Sequence, residues 1–269
     1  GTPFRAAYHR ADQAARSRSE GRDAVAIDLE RPETLRPALA GVEKVFLVSP
    51  PSPRLAEMEA PLVAEAVRAG VRHLVKVSVW RASERAYSLA AWHRAAEERI
   101  EASGLAWTFL RPNSFMQNFV TYLGESIRTE SAFHLPAGAA RVSHVDTRDV
   151  AEAAARILSG PGHEGRAYDL SGPEVLSYAQ AAHLLSVVLG RKITYVDLPE
   201  DRFRTLLAGA GLPDWWTEAM LDLQRYSRGG NSADALGPVA SLTGRGPTPV
   251  ERFSPGPPHP LNRTRGTYA

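Results

Sequence analysis

Short apolar and β-branched runs alternate with amphipathic stretches from the start of the chain to Pro112. Phe4–Tyr8, Ala24–Asp28, Lys44–Ser49, His73–Ser78 and Ala106–Arg111 read as strands. Between them lie ETLRPALAG, RLAEMEAPLVAEAVRAG and LAAWHRAAEERIEASG, each closed by a glycine (Gly41, Gly70, Gly104) of the kind that ends helices. In the second of these, Leu55, Met58, Leu62, Val63, Ala66 and Val67 recur at helical spacing and predict a face packed on a sheet. Strand and helix in strict alternation predict an α/β protein whose parallel sheet is wound by right-handed crossovers.

Beyond Pro112 the pattern loosens. Residues 113–135 read as helix followed by loop, and VSHVDTRDVAEAAARIL as a strand and a helix starting near Asp149. AYDLSG and ITYVDL add strands on either side of the helix SYAQAAHLLSVVLG, and two more helices run from Glu200 to about Arg228. The closing SPGPPHPLNRTRGTYA has no periodicity and the composition of a disordered segment.

Composition narrows the possibilities. An apolar fraction of 43% with 23% charged residues is that of an ordinary globular protein. The absence of cysteine excludes disulfides, thiol nucleophiles and Cys-ligated metals, and suits the cytoplasm. No apolar run is long enough to span a membrane. Of the 32 basic and 30 acidic residues, four and one lie in 245–269, which leaves the body with 28 and 29. A body so nearly neutral lacks the basic face that nucleic acid requires.

Three stretches carry candidate chemistry. In AVAIDLERPETL, Asp28 ends a strand where ligands of parallel sheets bind; it can accept a hydrogen bond from an adenine amine or simply close a turn. VFLVSPP ends in a rigid edge at Ser49 and Pro50 against which a flat ring can lie. The third, residues 75–119, places Ser78 at a strand end, His93 and Glu97 four apart on the next helix, and Asn113 after Pro112. His93 and Glu97 fit either an acid–base pair, with the carboxylate raising the imidazole pKa, or an ordinary surface pair. Asn113 is placed to cap or to meet a ligand amide. His134, His144, Asp146 and Asp149 lie close in sequence but lack metal-ligand spacing, so no metal is expected.

Taken in order, FRAAYHR, AIDLERPETLRPALAGVEKVFLVSPP, AGVRHLVKVSV, WHRAAEERIEASGLAWTFLRPNSFMQNF, HVDTRDVAEAAARIL, YDLSGPEVLSYAQAA and LTGR resemble the NmrA-like branch of the atypical short-chain dehydrogenase/reductases, over about residues 2–253. The resemblance implies a Rossmann-type core over 1–112 and 143–172, a smaller mainly helical substrate lobe over 113–142 and 173–250, and a disordered tail over 251–269. It implies NAD(P)H-dependent hydride transfer to a quinone, azo or polyketide-like aromatic acceptor, or else dinucleotide sensing without turnover. Family members open with a strand and a glycine-rich turn that this sequence does not show, so the resemblance implies an N-terminal truncation, weak dinucleotide binding and an impaired or inactive chain. The cofactor positions carry over as His9 and Arg10 beside the ribose, favouring NADP over NAD, Asp28 and Leu29 at the adenine, and Ser49 and Pro50 beside the cofactor. Ser78, Pro112 and Asn113 fall near the nicotinamide. Where many short-chain dehydrogenases carry Tyr-x-x-x-Lys, this sequence has His93-x-x-x-Glu97.

Overall fold

The structure, a computed structural model, describes residues 3–235 and 237–253; residues 254–269, the greater part of the expected tail, lie outside these. In chain order the elements are β1 (Ala6–Tyr8), α1 (Ala11–Ser19), β2 (Ala24–Ala26), α2 (Pro32–Leu39), β3 (Lys44–Leu47), α3 (Leu55–Arg68), β4 (His73–Val77), a 3-10 turn at Ala82–Glu84, α4 (Ser88–Glu101) and β5 (Ala106–Pro112). There follow α5 (Asn118–Thr121), α6 (Gly124–Glu130), β6 (Ala132–Leu135), β7 (Arg141–Val142), α7 (Thr147–Ser159), β8 (Arg166–Leu170) and β9 (Leu176–Ser177). The last are α8 (Tyr178–Leu189), β10 (Thr194–Asp197), α9 (Glu200–Gly209), α10 (Asp214–Arg228), α11 (Val239–Thr243) and a 3-10 turn at Val250–Arg252.

Two compact units divide the chain: Gly1–Ser78 with Trp92–Leu110 and Ala154–Ala167, and Val79–Ala91 with Arg111–Ala153 and Tyr168–Ala269. The boundaries expected from sequence put 79–91, 111–112, 143–153 and 168–172 in the core; here all four stretches go with the second unit.

In the first unit β1 pairs with β2, and β3 pairs with β4 and β4 with β5, every pair parallel. The larger sheet has the order β3-β4-β5-β8. Its helix-facing side buries Leu74, Val45, Leu47 and Phe109 against Leu62, Val63 and Ala66 of α3 and Ile100 of α4. The expected apolar face of α3 is therefore real, with two corrections: Val67 is exposed, and Glu59 and Glu65 are buried on the helix. β3 lies at the edge of its sheet and carries Phe46 and, just past it, Val48, both exposed.

The second unit has its own core. Met116, Phe119, Phe133, Leu135, Tyr178, Leu185, Leu221 and Phe253 belong to one buried cluster. SYAQAAHLLSVVLG packs into this cluster as α8, and β6, expected as loop, pairs parallel with β10. Residues 251–253 also depart from expectation. Thr248 donates through its N–H (2.7 Å) and hydroxyl (2.9 Å) to the buried Asp149 carboxylate, Val250 N–H donates to Glu174 (2.9 Å), and Phe253 is buried. Among the described residues no helix is long and apolar enough to cross a membrane.

Candidate functional site

Four parallel strands of the first unit end in candidate residues: His9 and Arg10 after β1, Asp28 and Leu29 after β2, Ser49 and Pro50 after β3, and Ser78 after β4. The carboxyl ends of parallel strands, where chains turn into helices, are the usual ligand edge of such sheets. His9 and Arg10 are exposed. The Arg10 guanidinium donates to both Asp12 carboxylate oxygens (3.0 and 2.8 Å), which raises the arginine pKa and lowers that of the aspartate.

Of the two roles offered for Asp28, the structure shows the turn. One carboxylate oxygen accepts the Glu30 N–H at 3.0 Å and closes a turn, while its own N–H donates to Thr34 Oγ1 at 2.9 Å and starts α2. Beside it, Leu29, Glu30, Arg54, Glu57, Met58 and Pro61 line a cavity of about 440 Å³. That volume lies in the range of small-molecule sites, roughly 300–1,000 Å³. Leu29, Met58 and Pro61 offer apolar surface to a flat ring; Arg54 and Glu57 pair at 3.0 Å on its border. Ser49 Oγ and Ser78 Oγ are buried and have no hydrogen-bond partner among the described residues. The Ser78 N–H meanwhile donates to Leu110 O at 2.6 Å, holding the end of β4 in register with β5.

His93 and Glu97 do not form a surface pair. Together with Ile100 they lie at i, i+4 and i+7 of α4, and all three are buried. Glu97 accepts from Arg94 Nη1 at 2.9 Å. Burial, reinforced by the Lys76 ammonium, pushes the His93 pKa well below its usual value. The expectation that Glu97 raises it is overturned: enclosure and a nearby cation both favour the neutral ring.

Pro112 and Asn113 belong to the second unit. Both are buried, and the Asn113 amide is committed internally: Nδ2 donates to Ser143 Oγ (2.9 Å) and to Ser232 O (3.0 Å), and Oδ1 accepts the Ser114 N–H (2.8 Å). Both amide protons are therefore spent within the protein, and none is free for a ligand.

Sequence reasoning passed over one deeply enclosed ion pair. Lys76 of β4 and Glu59 of α3, 0% and 2% exposed at their side chains, pair at 2.5 Å. The signals were a lysine within the strand HLVKV and a glutamate beside the apolar stripe of α3. His144 was weighed only as a metal ligand. It is fully enclosed in the second unit, its ring packed on Phe119 (5.1 Å between centroids) and Tyr178 (5.6 Å).

Both the sequence and the arrangement of strands and helices have known relatives. The NmrA-like family pattern covers residues 4–245. The chain belongs to the NmrA-like family. A relative, the NAD(P)H azoreductase of Xenophilus azovorans, is 36% identical over 244 residues, 90% of this chain and 85% of that protein. Two solved structures superpose with a TM-score of 0.80 at 27% identity, each covering 92% of this chain. One is the triphenylmethane reductase of a Citrobacter species complexed with NADP(H), 88% of which is covered. The other is an NADPH-dependent quinone oxidoreductase of Escherichia coli complexed with NADPH, covered over 87%.

Proposed function

We propose that this NmrA-like chain is an NAD(P)H-dependent oxidoreductase that reduces a quinone, azo or polyketide-like aromatic acceptor, with NADP(H) as the preferred dinucleotide. The observation that carries this is the cavity at Leu29 beside the half-engaged carboxylate of Asp28, at the strand ends where a dinucleotide's adenine would lie. Family membership and relatives named as azo and quinone reductases favour an enzyme over a non-catalytic sensor.

The residues of the first unit fit such a group by their chemistry. Asp28 keeps a second carboxylate oxygen for the exocyclic amine of an adenine, and Leu29, Met58 and Pro61 supply apolar contact to its ring. Ser49 Oγ and Ser78 Oγ are polar atoms still lacking partners, with capacity to donate or accept. His9 and Arg10 stand after β1 in place of the carboxylate that would select a ribose 2′-hydroxyl, and a 2′-phosphate competes with Asp12 for the Arg10 fork. When bound, the reduced nicotinamide supplies the hydride. Pro112 and Asn113 act on its edge indirectly: Asn113 fixes the backbone after β5 through Ser143 and Ser232. His93 and Glu97, proposed from sequence as the proton-handling pair, act from beneath the strand layer and not as an exposed acid and base.

The test is loss of reduced-nicotinamide absorbance on mixing the protein with NADPH and either a benzoquinone or an azo dye. Turnover with one of them supports the enzyme. Saturable NADPH binding by calorimetry without turnover of any acceptor supports the sensor instead.

A further inference from the structure

The interior of the first unit holds a polar cluster of which the proposed reaction uses only Ser78 directly. Lys76 and Ser78 are alternate residues of an extended segment, so their side chains share the face of β4 turned toward α3 and α4. Glu59 reaches Lys76 from α3, and His93 lies within electrostatic reach of Lys76 from α4. Three polar atoms of this set are buried with no protein partner: Glu59 Oε2, Ser78 Oγ and His93 Nδ1. Each unpaired buried polar atom costs about 1–3 kcal/mol. Three such atoms on three adjoining elements, beside an ion pair, make a cost that a protein rarely leaves unrelieved. An internal water typically makes about three hydrogen bonds to otherwise unsatisfied groups. A carboxylate oxygen, a hydroxyl and an imidazole nitrogen offer it both acceptors and donors.

We propose that Glu59, Lys76 and His93 form a positioning cluster that binds one internal water, and that this water fixes the Ser78 hydroxyl at the carboxyl end of β4. Lys76 holds the Glu59 carboxylate so that Oε2 faces the water; His93, kept neutral, presents Nδ1; Ser78 completes the set. Neighbouring charges on α4 are otherwise engaged, with Arg94 donating to Glu97 and Glu101. The cluster stands on its own geometry; only its bearing on catalysis, through Ser78, rests on the oxidoreductase reading.

Imidazole nitrogen NMR of the folded chain tests it without substrate or cofactor. His73 serves as internal control: it belongs to the opposite face of β4, where Nε2 bonds Thr108 Oγ1 at 2.9 Å. Ser78→Ala and Glu59→Gln should each shift the His93 Nδ1 resonance and leave His73 in place, and the wild type should show a long-lived water cross-peak to the His93 ring. A His93 resonance unmoved by Ser78→Ala, or the absence of that cross-peak, overturns the proposal. Should Glu59→Gln fail to fold, Ser78→Ala removes only a hydroxyl and still decides. Absence of NADPH turnover with intact NMR signatures would count against the oxidoreductase reading and leave the cluster standing.

Discussion

His144 has the most consequential environment of any single side chain in the second unit. Burial drives its pKa from 6.5 to about 4, a nearby Ser114 backbone group opposing this without closing a hydrogen bond. Between those two values the unfolded chain binds the proton and the folded one does not, so stability falls as pH falls. The contribution is complete above about pH 6.5 and about 3 kcal/mol is lost by about pH 4. His93 is depressed in the same direction and adds to the slope. His144→Phe should therefore reduce, without abolishing, the drop in urea midpoint between about pH 7 and pH 4.5; an unchanged slope would show that His144 is solvated. Asn113 gives a second residue-level expectation. Asn113→Ala removes the amide's bonds to Ser143 Oγ, Ser232 O and the Ser114 N–H, although Ser232 O keeps the Ser143 N–H and Ser143 Oγ keeps Asp234 O; it should cost about 1–3 kcal/mol in equilibrium unfolding. Its importance was legible from its place after Pro112, but its role was not. Its partners stand 30 and 119 residues away, and no local pattern encodes them.

Among elements, the strands of the first unit were readable because β-branched runs bounded by glycine-ended helices leave few alternatives. Their ends came out shorter: β2 stops at Ala26 since Asp28 is taken by its turn. β6 escaped notice because only Phe133 and Leu135 alternate inward, and its partner β10 lies some sixty residues on. α8 was legible and is well begun, for Ser177 Oγ accepts the Gln180 N–H while Gln180 Oε1 accepts that of Ser177. Ser177→Ala should lower stability by about 1 kcal/mol, read from the denaturant midpoint. The segment after α11 is tied down: Arg245 and Thr248 are drawn onto Asp149, and Phe253, the last described residue and one expected in the tail, enters the core. Phe253→Ala should cost about 3–5 kcal/mol, and a change below 1 kcal/mol would mean that this segment contributes little to the fold.

For the molecule as a whole, dinucleotide preference is the property most exposed to test. On the proposed reading, Asp12, which holds the Arg10 guanidinium, would compete with a 2′-phosphate for it. Asp12→Asn should tighten NADPH relative to NADH by a few-fold, given that exposed ion pairs are worth about 0.2–1 kcal/mol. His9→Ala/Arg10→Ala should erase the preference. Calorimetric titration with both dinucleotides decides, and equal affinities in the unaltered chain would remove the case for NADP.

One feature of the chain path reaches beyond stability. It passes between the two compact units at 78/79, 91/92, 110/111, 153/154 and 167/168, and the second and fourth of these passages fall inside α4 and α7. Neither unit is a continuous stretch of gene. A recombination event cannot exchange the second unit without cutting α4 and α7 in mid-course. The same path makes separate expression of either unit a poor experiment, and favours point variants for every question raised above.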